Sequence, residues 1–314
     1  MSEIACPRVS VVLATRNRGA EVKCAADSLL AMQPAADEIL IVDQSDDDGT
    51  QGALAAAAAA GRLRYLRQRE LGLSRARNLG LRESRGDLLI FTDDDCQAPA
   101  DLAGSVARAF LRWPDVGLVF GSVVPAPHDA SAGLIPSCQR MDDLVVRRVG
   151  EHHLLGGMGA CMAARREVML ELRGFDVCLG AGAVLHSAED TDLGLRALSA
   201  GFPVAETPSI RVLHHGFRTW RECETLADRY LFGAGAMYAK QARLRPASAA
   251  AMLAHVAARW LWGRPRVNYG REPRRAARGL AFARGLFAGL RMRLDPATGH
   301  FIDDGRPGDN PSEP

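Results

Sequence analysis

The sequence predicts an α/β protein, a mostly parallel sheet covered by helices on both faces. Apolar, β-branched runs recur at residues 9–13, 38–42 and 88–91, with helix-compatible stretches between them. That alternation is what parallel strands joined by crossover helices produce. Each run stops at a polar loop, and open α/β sheets bind ligands at the carboxyl edge of their strands. The composition allows such a fold. The chain has 314 residues, 47% of them hydrophobic and 24% charged, enough apolar surface for a large core.

Residues 9–13 read as a buried strand, followed by the polar turn Thr15, Arg16, Asn17 and Arg18. Residues 20–32 suit a helix, because Val22, Ala25, Ala26 and Leu29 recur at helical spacing. Residues 38–42 form the next strand and end at a turn-rich loop, 43–50. The alanine run 53–60 is helical by propensity. Residues 63–66 suit a short strand, and 73–85 a helix with Ser74 as its expected N-cap. The strand 88–91 runs straight into Asp93, Asp94 and Asp95. Three adjacent carboxylates repel one another unless something neutralises them, and a D-x-D pair at a strand end can hold a hard divalent cation. Further on, 116–124 reads as a strand and 156–166 as a glycine-rich segment turning apolar. Ser187 to Asp190 has the form of a capping box, opening a helix that closes near Gly201. Residues 210–215 read as a strand ending in His214 and His215.

The net charge is +2, so overall basicity does not point to nucleic acid. The charge is unevenly placed. Residues 243–293 carry 12 arginines and one acid, and residues 294–314 carry five acids and one base. In the basic stretch Ala276, Leu280, Ala283, Phe287, Leu290 and Leu294 fall on one helical stripe. Two readings of it are compatible: the stripe packs on the catalytic body, or it lies on anionic lipid. The acidic tail, 295–314, is expected to be disordered. The first residues lack a basic and apolar leader pattern, no run of 18 apolar residues occurs, and the seven cysteines show no C-x-x-C spacing. Those features lead to the expectation of a cytoplasmic protein, peripheral at the inner face of the cytoplasmic membrane.

Four stretches together carry a resemblance: Val11-Val-Leu-Ala-Thr-Arg-Asn-Arg18, Ile41-Val-Asp-Gln-Ser-Asp-Asp-Asp-Gly-Thr50, Gly72-Leu-Ser-Arg-Ala-Arg-Asn-Leu-Gly80 and Phe91-Thr-Asp-Asp-Asp-Cys96. With Gly174-Phe-Asp-Val-Cys-Leu-Gly-Ala-Gly182 and Ala188-Glu-Asp-Thr-Asp-Leu193, the set closely resembles the family 2 glycosyltransferases over roughly residues 8–220. The resemblance implies a GT-A fold over residues 1–235, with residues 236–294 as a basic helical extension. It implies inverting transfer of a sugar from a nucleotide-diphosphate donor, UDP by preference, to a glycan or lipid-linked acceptor. Thr15, Arg16, Asn17 and Arg18 would line the nucleotide pocket. Asp43 would bond the base, with Ser45 and Asp46 shaping the pocket. Arg75, Arg77 and Asn78 would lie beside the nucleotide and diphosphate, and Asp94 near the donor sugar. Asp93 and Asp95 would hold Mn2+ or Mg2+, with His214 as a further ligand and His215 behind it. Asp190 would act as base and Glu189 as a positioning or acceptor contact. The sequence departs from the family in the stretch 156–167, where many relatives carry an asparagine and this chain has small residues. A non-catalytic nucleotide-sugar-binding scaffold is the main alternative. A nucleotidyltransferase is a weaker one, because the chain has only two lysines, Lys23 and Lys240, and no activating loop.

Overall fold

The computed structural model describes residues 7–246 and 275–305, with residues 250 and 254 between them. The strands are β1 (Val9–Thr15), β2 (Glu38–Asp43), β3 (Arg64–Arg67), β4 (Leu88–Asp93), β5 (Cys96–Gln97), β6 (Leu118–Pro125), β7 (Gly133–Leu134), β8 (Leu144–Val146), β9 (Cys161–Arg165), β10 (Val204–His214) and β11 (Arg218–Thr219). The helices are α1 (Gly19–Leu30), α2 (Gly49–Ala59), α3 (Leu73–Glu83), α4 (Leu102–Arg112), α5 (Arg166–Glu171), α6 (Glu189–Ser199), α7 (Trp220–Leu244) and α8 (Arg275–Arg291).

The main sheet has the order β3-β2-β1-β4-β9-β6-β10-β5, with β8 paired to β10. The first four strands are parallel, as the sequence predicts. β9 inserts antiparallel between β4 and β6, which makes the second half mixed. Both faces are buried, and β1 shows how. Val11 and Leu13 join a core with Val22 and Leu29 of α1 and Val106 of α4. Val12 points the other way, into a core with Leu81 of α3, Met169 of α5 and Leu193 of α6. Alternation along a strand therefore feeds two cores at once.

Two expected caps are absent. The hydroxyl of Ser187 donates to the backbone carbonyls of Arg229 and Tyr230 in α7, so it cannot cap α6. The residue before α6 is Ala188, in the left-handed region at φ 73°. Ser74 lies inside α3, and its hydroxyl donates to the Leu179 carbonyl at 2.6 Å. A capping box does form at the start of α7, where Thr219 and Glu222 satisfy each other's backbone N–H groups.

The expected boundary at residue 235 falls inside α7, which is one continuous helix. Lys240 of α7 is fully buried, 2.7 Å from Asp176 Oδ2 and 2.6 Å from Asp192 Oδ1. The helix is thus stitched into the catalytic body by a buried ion pair network, completed by Arg196 on Asp192 at 2.8 Å. Residues 295–305, expected to be disordered, follow an ordered course among the described residues. Leu294 bridges Phe301, and Phe301 is buried with its N–H on Asp176 Oδ2 at 2.8 Å. Asp303 ends the segment on Arg75. Apolar burial at Phe301 and a hydrogen bond to a buried carboxylate outweigh the polar composition that suggests disorder. The expectation for residues 306–314 lies outside the described residues, as does that for residues 247–249, 251–253 and 255–274.

Of the two readings of the α8 stripe, packing on the body holds for Leu294 and not for Leu280, Phe287 and Leu290. The helix's contact face is glycine: a Cβ on Gly285 would stand 1.9 Å from the Phe232 carbonyl oxygen, and one on Gly289 2.6 Å from that of Ala236. Gly235 of α7 answers from the other side, 2.1 Å from the Phe282 carbonyl oxygen. Backbone meets backbone here, and only glycine allows it. Leu280, Phe287 and Leu290 consequently face outward. Among the described residues no helix is long and apolar enough to cross a membrane.

Candidate active site

The parallel register brings the three predicted loops to one edge. Thr15 pairs with Asp43 at the end of β1 and β2, and Ala14 with Asp93 at the end of β1 and β4. The Thr15 hydroxyl donates to Asp94 Oδ2 at 2.8 Å. The Arg18 guanidinium lies 2.9 Å from both Asp94 and Asp95, so it neutralises part of the triple carboxylate. Burial still pushes the Asp94 carboxyl up to about 6, more than Arg18 pulls it down.

β5 explains the next contact. It follows β4 after a two-residue turn and pairs antiparallel with β10, Cys96 opposite His214. That pairing sets Asp95 Oδ1 3.2 Å from His214 Nε2. His214 Nδ1 lies 2.7 Å from the Pro136 carbonyl, which fixes Nδ1–H as donor and leaves Nε2 facing the carboxylate. Burial raises the Asp95 carboxyl, but His214 and Arg18 outweigh it and hold it well below the usual range. The His214 imidazole is lowered by burial and raised more by Asp95, so it ends above its ordinary value. Cys96 joins the group: one donor atom each from Asp95, Cys96 and His214 lie within 4.8 Å of one another. Gly216 makes room, since a Cβ there would sit 2.5 Å from His214 Nε2. Carboxylate and imidazole on one small cleft suit a hard or borderline divalent ion such as Mn2+ or Mg2+. His214, not His215, presents its ring; His215 contributes its backbone N–H to the Asp95 carbonyl at 2.8 Å.

Asp93 takes a different partner from Asp95. Arg77, fully buried, donates to Asp93 Oδ1 at 2.9 Å, to Glu189 Oε1 at 3.1 Å and to the Gly159 carbonyl at 3.1 Å. One guanidinium therefore ties the strand-end carboxylates to the first turn of α6. Burial and the charge of Asp190 push the Glu189 carboxyl up to about 7, against the pull of Arg77. Asp190 accepts the Gly159 N–H at 2.9 Å and that of Thr191 at 2.6 Å. The glycine-rich stretch that lacks the asparagine is held by Glu206, which accepts the N–H of Gly157 at 2.6 Å. A Cβ at Gly159 would stand 2.7 Å from Arg77 Nη1, so the small residue serves the approach of Arg77.

The remaining predicted residues divide. Arg16 pairs with Asp46 at 3.0 Å, and Asn17, at φ 56°, exchanges hydrogen bonds with Asp46 and donates its N–H to Ser45 Oγ. Asp43 is fully buried, its oxygens engaged by Ser45 and by the Tyr65 hydroxyl at 2.6 Å. Asn78 points away from the edge and brackets the backbone of Phe175 with two bonds of 2.8 Å. Arg75 lies against Asp303 and, at 3.4 Å, Glu70. Sequence reasoning missed Tyr65, Arg67 and Gln68. Arg67 lies 3.5 Å from Asp43, and with Gln44, Ser45, Asp46 and Gln68 it lines an open cleft of about 510 Å³. An arginine in a strand next to a carboxylate loop was the available signal. Cys96 carries no ligand signal of its own in the sequence, where it is a single cysteine after the acidic run.

A mixed α/β sheet with its polar loops, an Asp–His pair and an acidic helix start gathered on one edge is the arrangement of a GT-A glycosyltransferase. The description "Glycosyl transferase family 2" matches residues 10–173, over half of the chain, and the chain belongs to that family. It is 23% identical over 191 residues to an uncharacterized glycosyltransferase of Haemophilus influenzae, covering 60% of this chain and 62% of that protein. It is 26% identical over 155 residues to the N-acetylglucosaminyl-diphospho-decaprenol L-rhamnosyltransferase of Mycobacterium tuberculosis, covering 41% of this chain and 47% of that protein. The chain thus matches between about half and three fifths of these relatives' length. Among solved structures it resembles the mannosyltransferase PcManGT of Pyrobaculum calidifontis in complex with GDP-Man and Mn2+. The TM-score is 0.60 at 21% identity, covering 91% of this chain and 87% of that one. It also resembles GalNAc-T7 with UDP, GalNAc and Mn2+, at TM-score 0.53 and 16% identity, over 79% and 52% of the two chains.

Proposed function

We propose that the protein is a metal-dependent, inverting glycosyltransferase that moves a sugar from a nucleoside-diphosphate donor to a hydroxyl of a glycan or lipid-linked acceptor. The observation that carries this is Arg77, whose buried guanidinium joins Asp93 at the strand edge to Glu189 in the first turn of α6. Two charged groups meant for one reaction need to be held at one place, and this residue holds them.

In this reading Asp190 accepts the proton of the acceptor hydroxyl as its oxygen bonds to the anomeric carbon. The bond from that carbon to the diphosphate oxygen breaks in the same displacement, and the configuration inverts. The Gly159 and Thr191 N–H groups orient the Asp190 carboxylate. Asp95 and His214 would hold Mn2+ or Mg2+, with Asp93 nearby, and such a cation offsets charge on the leaving diphosphate. Thr15, Arg16, Arg18 and the cleft beside Arg67 would receive the nucleotide. UDP is the first donor to test and GDP the second, since each accompanies one of the structural neighbours. The acceptor would meet the enzyme at the cytoplasmic face of a membrane.

Calorimetry tests this with a panel of nucleoside diphosphates, with and without Mn2+, on the wild type and Asp95→Ala. Metal-dependent binding of one nucleotide, lost in the variant, is expected. Binding without turnover of any sugar donor would favour the scaffold alternative, and no nucleotide binding in any metal would overturn the reading.

A further inference from the structure

We propose that the outward face of α8 is a docking surface for anionic lipid. The helix spends its contact face on glycines: Gly285 and Gly289 bring it against the backbone of α7. Phe282 packs on Tyr238, and three other large apolar side chains are left over. Leu280 is 61% exposed, Phe287 54% and Leu290 50%. Residues 280, 287 and 290 share one stripe at helical spacing, and the exposed Arg284 and Arg291 stand on it and beside it. The Arg291 guanidinium lies 3.9 Å over the Phe287 ring, so charge and aromatic surface are presented together.

Charge decides the occupant. α8 contains no acidic residue, and residues 243–293 hold 12 arginines against one acid. A second copy meeting this face about a two-fold axis would set Arg284 and Arg291 against their own counterparts with no carboxylate on either helix. An anionic bilayer offers what the stripe needs, phosphates for the guanidinium groups and an acyl boundary for Leu280, Phe287 and Leu290. The surface also connects to the site. The chain leaving α8 crosses through Phe301 and ends with Asp303 on Arg75, at the N-terminal end of α3. The proposal rests on α8 alone and goes beyond the transfer reading, so either can fail without the other.

Co-sedimentation of the full chain with phosphatidylcholine vesicles, with and without phosphatidylglycerol, tests it. Binding to the anionic vesicles that weakens with salt is expected. Phe287→Gln combined with Leu290→Gln should weaken it by roughly tenfold or more, and Arg284→Gln with Arg291→Gln should remove its salt dependence. Both pairs should keep the wild-type melting temperature and nucleotide binding, which shows that they fold. Three results overturn the proposal: no binding to anionic vesicles, unchanged binding by the Phe287/Leu290 pair, or a dimer in light scattering that this pair dissociates.

Discussion

Replacing Lys240 by methionine removes the cation facing Asp176 and Asp192 while keeping a flexible chain of similar length. The side chain is fully buried, 2.7 Å from one carboxylate and 2.6 Å from the other. Asp192 would keep Arg196 at 2.8 Å. Asp176 would keep only the backbone N–H groups of Phe301 at 2.8 Å and Cys178 at 3.0 Å. Breaking a buried pair by removing one partner costs about 3–5 kcal/mol, because the surviving charge is uncompensated. The cost should therefore fall near that range, a large share of the ~5–15 kcal/mol of a typical fold. Urea unfolding followed by tryptophan fluorescence measures it. Adding Asp176→Asn to Lys240→Met removes the orphaned charge and should recover about half of the loss, a coupling that contacting residues show. A loss below about 1 kcal/mol for the single variant, or strictly additive losses in the double one, would refute the reasoning.

Two further outcomes are expected. Asp190→Asn should lower kcat by roughly 10²–10⁴ while calorimetry shows unchanged donor binding, because the amide loses the proton acceptor and its one oxygen can keep only one of the two backbone N–H contacts. Glu189→Gln should raise the melting temperature above pH 6 while reducing turnover. The sign follows from the raised carboxyl: the folded state holds this proton up to about pH 7 and the unfolded chain releases it near 4.5. Stability contributed by this group therefore falls as pH rises through that window, and the glutamine variant should flatten the fall in a series of melting curves.

The parallel half was legible because its strands are continuous apolar runs and its loops are polar, two signals that local sequence carries. The site's loops were legible for the same reason, through their place at strand ends. What escaped is long-range. Ser187 has a capping pattern, yet its hydroxyl is taken by carbonyls some forty residues away in α7. Nothing around Lys240 in the sequence marks it as buried, because its partners Asp176 and Asp192 arrive from elsewhere. Asp43 reads as a pocket carboxylate, and nothing local announces the Tyr65 hydroxyl that reaches it from the neighbouring strand. The stripe of α8 left its two readings open for a different reason. Apolar periodicity marks a face without saying what covers it, and close glycine packing leaves no hydrophobic signal, so sequence alone did not show that Gly285 and Gly289 approach α7 while Leu280, Phe287 and Leu290 stay exposed.

The buried lysine also sets an order of events during synthesis. Asp176 and Asp192 are made before Lys240, and Phe301 comes later still. At ~5–20 residues per second the interval from Asp192 to Lys240 lasts several seconds. Through that time α6 has Arg196 but not its second cation, and Asp176 has neither Lys240 nor the Phe301 N–H. The parallel strands β1 to β4 need none of these and can assemble first. The helix start that carries Glu189 and Asp190 is locked only when α7 has emerged, so a nascent chain that has already built its parallel strand edge is still without the finished carboxylate pair beside it.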